Sequence, residues 1–347
     1  MNDFLSHTPA LQNRMHESIL SHSKSFATVS SWGTDVVDRF ASFAKRGKMV
    51  RGNAVVTGFL FCSGQNPAGA IDVGTAIELL HASLLIHDDI MDNDEKRRGE
   101  DSMFFQYQTL LKERGVENYK DLGKSLALCI GDIGFFLAYE LLNNLPIEEE
   151  IKQQVIEKVS QELPFVGLGQ MQDMIDVQKL SMETILQTYR YKTARYTFSL
   201  PFALGAILAD KPDGVKSFED FGEQLGILFQ LKDDELGMFG TEKEIGKTVG
   251  SDIREGKKTV FYLYLLQNAN TFERETLEKI WGNKTAGEKD FGFVYSLVEK
   301  YDIQEKIQQV IEKHLTRLEE LLATLPIEGK DKKSLEEFIS YNILRRK

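Results

Sequence analysis

Asp88, Asp89 and Asp92 stand close together in IHDDIMDNDEKRRG (Ile86–Gly99), with Asp94 and Glu95 just beyond them. Aspartate is a poor choice inside a helix, and like charges one turn apart repel, so this run carries a cost that a ligand should offset. On a helix Asp88 and Asp92 are at i and i+4, and Asp89 and Asp92 at i and i+3, so all three carboxylates can point into one space. Such a set suits a hard divalent cation such as Mg²⁺, which takes oxygen ligands from one or two carboxylates and from phosphate groups. A solvated acidic helix end has the same appearance. A second acidic pair, Asp233 and Asp234, closes another apolar helical run, FGEQLGILFQLKDDELG. Two acidic helix ends facing each other inside a bundle suit a multi-metal clamp on a diphosphate.

Basic residues lie nearby in the chain. Arg97 and Arg98 follow the first acidic run, and KRGKMVRG sets Lys48 and Arg51 one helical turn apart. Guanidinium forks match phosphate oxygens in pairs, and lysine adds a compact charge. Each run taken alone also reads as a solvated surface. GKTVGSDIREGKKT combines glycines with Lys247, Lys257 and Lys258, which permits close backbone approach to an anion without the order of a P-loop. His81 lies two turns before Asp88 on an apolar helix, whereas His87 reads as helix structure. Phe239, Met171 and Met174 read as packing residues.

Holding these groups in place falls to helices. Seven prolines in 347 residues and few alternating runs predict an all-α chain. Ile71 to Ile86 is apolar on nearly every face, as a buried central helix is, and Ile311, Leu315, Leu318, Leu322 and Leu325 recur at helical spacing before Pro326. No linker and no repeat divides residues 1–347, which read as a single helical-bundle domain. Arg98–Lys124 and Gly237–Lys258 read as loops, the second as a closing device.

The chain is 42% hydrophobic, enough for a large core, and its net charge of −11 argues against general nucleic-acid binding. An anionic ligand therefore needs metal ions as intermediaries. Cys62 and Cys129 read as core thiols, in keeping with a reducing cytoplasm. The first residues, MNDFLSHTPALQNRMHES, lack a signal peptide's charged start and apolar run, and no stretch of about twenty apolar residues predicts a membrane span. A soluble, cytoplasmic protein is the expectation.

In order along the chain come GKMVR (Gly47, Lys48, Arg51), ELLHASLLIHDDIMDNDEKRRG, GD (Gly131, Asp132), GQMQD (Gly169, Gln170, Asp173), KTA (Lys192, Thr193), FQLKDDELG and GKTVGSDIREGKKT. This ordered set, spanning residues 47–259, resembles the trans-isoprenyl diphosphate synthases, or polyprenyl synthetases; the terminal RRK, Arg345 to Lys347, also looks like that family's ending. The resemblance implies an all-α bundle, usually a homodimer, whose central active-site cavity joins an allylic diphosphate to isopentenyl diphosphate head to tail with Mg²⁺. It implies that Asp88, Asp89, Asp92, Asp233 and Asp234 bind the metal. It assigns Lys48, Arg51, His81 and Arg98 to isopentenyl diphosphate. Arg97, Lys192, Lys257 and Lys247 would hold the allylic diphosphate, with Thr193 and Gln230 offering oxygen dipoles to the developing allyl cation.

The sequence departs from the family pattern in places. Arg46 precedes Gly47 where a second glycine is common, EDSMFFQYQTL replaces a proline- and histidine-containing segment, and Gly237 stands where a third carboxylate of the second motif often sits. Ser83 and Leu84, the chain-length candidates five and four residues before Asp88, carry no ring, unlike the farnesyl-limited pattern. A geranylgeranyl-like product is the expectation. Phe135 and Phe136 read as core, with a cavity floor as the alternative. A terpene cyclase would share the acidic motif but leave the Lys48/Arg51/His81 pocket unexplained, and a non-catalytic regulatory subunit would not need both acidic motifs.

Overall fold

The computed structural model describes residues 4–63, 65–175, 180–239 and 250–343. Among them the only strands are β1 (Lys96–Arg97) and β2 (Glu100–Asp101), an antiparallel two-residue pair. The rest is helix and connection, so the all-α expectation holds. In chain order the helices are α1 (Thr8–Leu20), α2 (Ser23–Val29), α3 (Trp32–Ala44), α4 (Val50–Ser63), α5 (Ala68–Asp92), α6 (Met103–Glu113), α7 (Tyr119–Asn143), α8 (Glu149–Met174) and α9 (Met182–Thr188). A π-helical segment, Tyr189–Ser199, leads into α10 (Leu200–Leu208) and α11 (Pro212–Phe239). After residue 249 come α12 (Ser251–Glu255), α13 (Val260–Asn268), α14 (Thr271–Ile280), α15 (Glu288–Lys300), α16 (Ile303–Thr324) and α17 (Gly329–Ile343).

The chain divides into two compact units, Met1–Val159 with Pro201–Val215, and Ser160–Leu200 with Lys216–Lys347. In the first, α5 is the central helix. It packs against α1, α3, α4, α6 and α7, as a helix apolar on every side must. Small residues let the backbones approach. A Cβ on Gly74 would lie 2.8 Å from the Gly52 carbonyl oxygen of α4, and one on Gly134 of α7 would collide with the Ser83 hydroxyl and the Phe40 ring. Gly131, half of the GD motif, makes room in the same way for the His87 ring, whose Nε2 lies 3.2 Å from the Leu128 carbonyl oxygen. The acidic run occupies the last turn of α5, which stops at Asn93 in the left-handed region (φ 58°). That end of a helix carries the negative pole of the macrodipole, so these carboxylates need local cations more than a surface run would.

The second unit has its own core. The amphipathic α16 buries Ile303, Ile307, Ile311, Leu318 and Leu322 and packs against α13 and α15. Gly222 and Gly226 of α11 lie against Ser199 and Ala194 of the π-helical segment, leaving no space for side chains.

Several sequence expectations give way. Arg98–Lys124 is not a loop: it holds β2, α6 and the start of α7, because Met103, Phe104, Tyr107 and Leu111 form a buried helical face beneath polar neighbours. Cys129 is exposed and Cys62 only half-buried, so neither is a fully buried core thiol. Phe136 is 75% exposed and so is not core, and Met171 and Met174 are exposed as well, whereas Phe239 packs edge-on against the Phe261 ring as expected. Two helices are long and apolar enough to cross a membrane by length and composition, Ala68–Asp92 and Tyr119–Asn143, where the sequence reading expects none. For the first, 72% of the apolar window is buried inside the protein, as befits the central helix; for the second the share is 44%.

Candidate active site

In the first unit the site grows from the end of α5 and the hairpin after it. Arg98 (φ 55°) and Gly99 (φ 80°) both adopt left-handed backbone between β1 and β2, the conformation of a tight two-residue hairpin turn. The turn sends Arg97 back over α5. Its Nε donates to Asp89 Oδ1 at 2.6 Å, its terminal nitrogen also reaches Asp89, and Asp88 and Asp94 lie 3.5 and 3.6 Å away. Asp89 is fully buried. Burial pushes its carboxyl up to about 6, against the pull of Arg97. The guanidinium is raised in turn, burial being outweighed by Asp89 and its acidic neighbours.

Asp88 and Asp92 are half-buried. Among the described residues no group of three His, Cys, Asp or Glu side chains is gathered to hold a metal by itself. The expected convergence of all three aspartates is thus not found, because Asp88 and Asp89 project about 100° apart around the helix and Asp89 turns inward to Arg97. The donor set still fits magnesium, which takes one or two carboxylates and completes its shell with phosphate oxygens and water. Asp89 Oδ2 is a buried acceptor with no hydrogen-bond donor, a further feature that suits a cation.

A second cluster lies up the same helix. His81 is 9% exposed and Glu78 5%. The carboxylate of Glu78 accepts the Gly52 N–H at 2.8 Å and interacts with the charges of Arg51 and Arg98. The guanidinium of Arg98 lies 3.2 Å from where a Cβ on Gly47 would stand, beside the residue that precedes Lys48. His81 is held well below its usual range by burial and then by Arg51, Arg98 and Arg97, so its imidazole is neutral. The structure therefore brings Arg51, His81 and Arg98 together, with Gly47 and hence Lys48 beside them. Ser83 is fully buried against Gly134, its Oγ donating to the Leu79 carbonyl at 3.0 Å, while Leu84 is half-buried.

In the second unit, Asp234 is 4% exposed and Asp233 is exposed. Asp234 accepts hydrogen bonds from the Tyr189 hydroxyl and, at 3.0 Å, from Gln230 Nε2. Burial and then the charge of Asp252 push it up to about 7. Lys257 Nζ lies 2.8 Å from Asp252 and 3.3 Å from Glu255. The Asp252 carboxylate occupies the space that a side chain at Gly237 would take, so a carboxylate from α12 stands where the second motif lacks one. Lys192 Nζ donates to Asp173 of the GQMQD motif at 2.5 Å, and Thr193 beside it is half-buried. Asp173, Thr188, Tyr189 and Lys258 share a cavity of about 180 Å³ with Met171 and Ile185. Lys247 and the Arg345–Lys347 tail lie outside the described residues.

Sequence reasoning left Glu78, Asp173, Tyr189 and Asp252 without roles. Glu78 had a signal, an acid inside an otherwise apolar helix; Tyr189 had none. Its position at the head of a π-helical segment is a local rule broken where function is concentrated.

The sequence profile of the polyprenyl synthetase family matches residues 36–298. The chain belongs to the polyprenyl synthetase family. It is 31% identical over 314 residues to the geranylgeranyl diphosphate synthase of Saccharolobus solfataricus, covering 89% of each chain. With the geranylgeranyl diphosphate synthase of Sulfolobus acidocaldarius it shares 34% over 288 residues, 79% of this chain and 80% of that one. The geranylgeranyl pyrophosphate synthase of Corynebacterium glutamicum, solved with isoprenyl diphosphate and magnesium, is similar in structure with a TM-score of 0.93 at 25% identity, covering 99% of this chain and 100% of that one.

The raised Asp234 carboxyl has a consequence for this polyprenyl synthetase. The folded chain keeps that proton from the ordinary value of 3.8 up to about 7 while the unfolded chain has released it, so stability falls as pH rises through that window. Asp234→Asn removes the linkage. In metal-free urea denaturation, the stability of the variant relative to the parent should rise by roughly 1–3 kcal/mol between about pH 4.5 and about pH 8. A difference independent of pH contradicts the assignment.

Proposed function

We propose that this prenyltransferase joins isopentenyl diphosphate head to tail to an allylic diphosphate, with magnesium, to give a trans-prenyl diphosphate of geranylgeranyl-like length. The observation that carries the reading is on α5. This helix bears an acidic end suited to a metal-bound diphosphate and, about 10 Å back along its axis, His81, which Arg51 of α4 and Arg98 of the hairpin join in a separate cluster suited to a second diphosphate. A terpene cyclase has no use for the second cluster, and a regulatory subunit has no use for either.

In this reading Asp88, Asp89, Asp92, Asp233 and Asp234 serve magnesium, Asp89 chiefly by fixing Arg97 and Asp234 through its bonds to Tyr189 and Gln230. Magnesium, when bound, neutralises the charge that accumulates on the departing diphosphate. By motif, Arg97 of the first unit and Lys192 and Lys257 of the second are each assigned to the allylic diphosphate, where fixed positive charge counts most as the allylic carbon–oxygen bond breaks. Lys247 belongs with them by motif. Thr193 and Gln230 offer oxygen dipoles to the allyl cation. Lys48, Arg51, His81 and Arg98 hold isopentenyl diphosphate so that its double bond meets the cation. A neutral His81 adds a hydrogen bond without adding charge. The departed diphosphate accepts the final proton, so no side-chain base is required. Positioning of two bound partners supplies much of the rate.

Leu84, half-buried and without a ring, is the better placed of the two chain-length candidates; Ser83 faces Gly134 and Phe40. The absence of an aromatic at either position supports a product longer than farnesyl. A homodimer is part of the proposal, supported by Leu122, Leu128 and Phe136 exposed on α7. Sedimentation equilibrium should show a dimer that Phe136→Glu shifts toward monomer, and a parent that sediments as a monomer contradicts it.

The catalytic proposal is tested by incubating the pure chain with magnesium, labelled isopentenyl diphosphate and dimethylallyl, geranyl or farnesyl diphosphate, and sizing the dephosphorylated products. Chains of geranylgeranyl length are expected. Lys48→Ala should raise KM for isopentenyl diphosphate about tenfold or more, with little change for the allylic partner. No transfer from any allylic substrate rejects the proposal, and an equal rise in both KM values rejects the two-pocket assignment.

A further inference from the structure

Glu78 is a carboxylate in a setting where an apolar residue would satisfy the helix better. It is 5% exposed and sits on α5 one turn before His81. Its Oε1 accepts the N–H of Gly52 at 2.8 Å, and the backbone N–H of Arg51 bonds to the same carboxylate. Both amides belong to the first turn of α4, where a helix has N–H groups without intrahelical acceptors and a positive dipole end. Glu78 thus caps α4 from a different helix. The reach depends on the backbone contact at Gly52 and Gly74, where nothing larger than hydrogen fits between α4 and α5.

The neighbourhood explains why a charge is kept here. Arg51 and Arg98 are the cations that act on the carboxylate, and Arg97 adds to the positive field felt by His81. Like charges gathered without an anion repel one another. A buried carboxylate among them is itself costly unless it is paired and hydrogen-bonded, and Glu78 has both kinds of partner. The chain just before α4 is also under local constraint: Met49, between Lys48 and Val50, is in the left-handed region (φ 52°) and 1% exposed. Its carbonyl accepts from the Asn53 side chain at 2.6 Å. The segment bearing Lys48 and Arg51 is therefore anchored at both ends of its turn, by Asn53 and by Glu78.

We infer that Glu78 is a positioning residue for isopentenyl diphosphate: it ties the Lys48/Arg51 turn of α4 to the His81 face of α5 and balances Arg51 and Arg98 until the diphosphate arrives. The inference rests on the reading of this cluster as the isopentenyl diphosphate pocket. Glu78 does not touch the substrate. Its carboxylate is spent on backbone amides and arginines, and a direct approach of two anions would be repulsive.

The test compares the parent with Glu78→Gln and Glu78→Ala. Glutamine keeps an oxygen acceptor for the α4 amides and removes the charge, so this variant should melt close to the parent; alanine removes both and covers the case of a larger structural effect. Inorganic diphosphate, titrated by calorimetry into each protein in EDTA, should bind the glutamine variant about tenfold more weakly than the parent. In turnover, KM for isopentenyl diphosphate should rise by about the same factor while KM for the allylic diphosphate changes less than about twofold. A folded glutamine variant that binds diphosphate as well as the parent, or better, overturns the inference. So does a fall in kcat with both KM values unchanged, which is what a structural role alone produces. If the parent binds diphosphate in EDTA and the variant binds it weakly, but no allylic substrate is turned over, the proposed reaction fails and the positioning role stands.

Discussion

The contact between Arg97 and Asp89 sets the terms for the rest of the site. A carboxylate at the C-terminal end of a buried helix faces the wrong pole of the macrodipole and has little water to compensate. The guanidinium that reaches it comes from a two-residue hairpin whose turn is possible because Arg98 and Gly99 accept left-handed backbone. Comparable pairings occur among the described residues of each unit. Lys192 rests on Asp173, Lys257 on Asp252, and Arg51 and Arg98 act on Glu78. Breaking a buried pair on one side is far more costly than the pair is worth as a stabiliser, so Asp89 matters chiefly for keeping Arg97 in place.

This balance has a functional cost and use. A chain with net charge −11 whose site cations already have partners is a poor trap for free anions. On the proposed function, the acidic end of α5 gains affinity for a diphosphate only when divalent ions add positive charge, whereas the cluster of His81 on α5 with Arg51 of α4 and Arg98 of the hairpin presents cations with one buried carboxylate among them. In that reading the first arrangement couples diphosphate binding to metal, and the second does not require it. That division suits a reaction in which one diphosphate must leave and the other must stay attached to its carbon chain.

Much of this was legible before any coordinates. The apolar circumference of Ile71–Ile86 identified the central helix, because only a helix covered on all sides can afford it, whereas the aspartate spacing predicts a convergence of three carboxylates that is not found among the described residues. What was missed needed tertiary contact. Glu78 gains meaning only where Gly52 meets Gly74, and Asp252 only where it fills the space beside Gly237. The α6 segment was masked by polar neighbours around its buried face. Cys129 and Phe136 misled in the opposite sense: apolar character says that a side chain prefers to leave water, not which surface will cover it.

The most direct measurement is a calorimetric count of inorganic diphosphate sites per chain, with excess magnesium and again in EDTA. Two sites with the metal and one without it are predicted, the surviving site being the one that Lys48→Ala removes. Equal counts and affinities under both conditions would contradict the account, since the acidic end of α5 would then have no need of a metal to accept an anion.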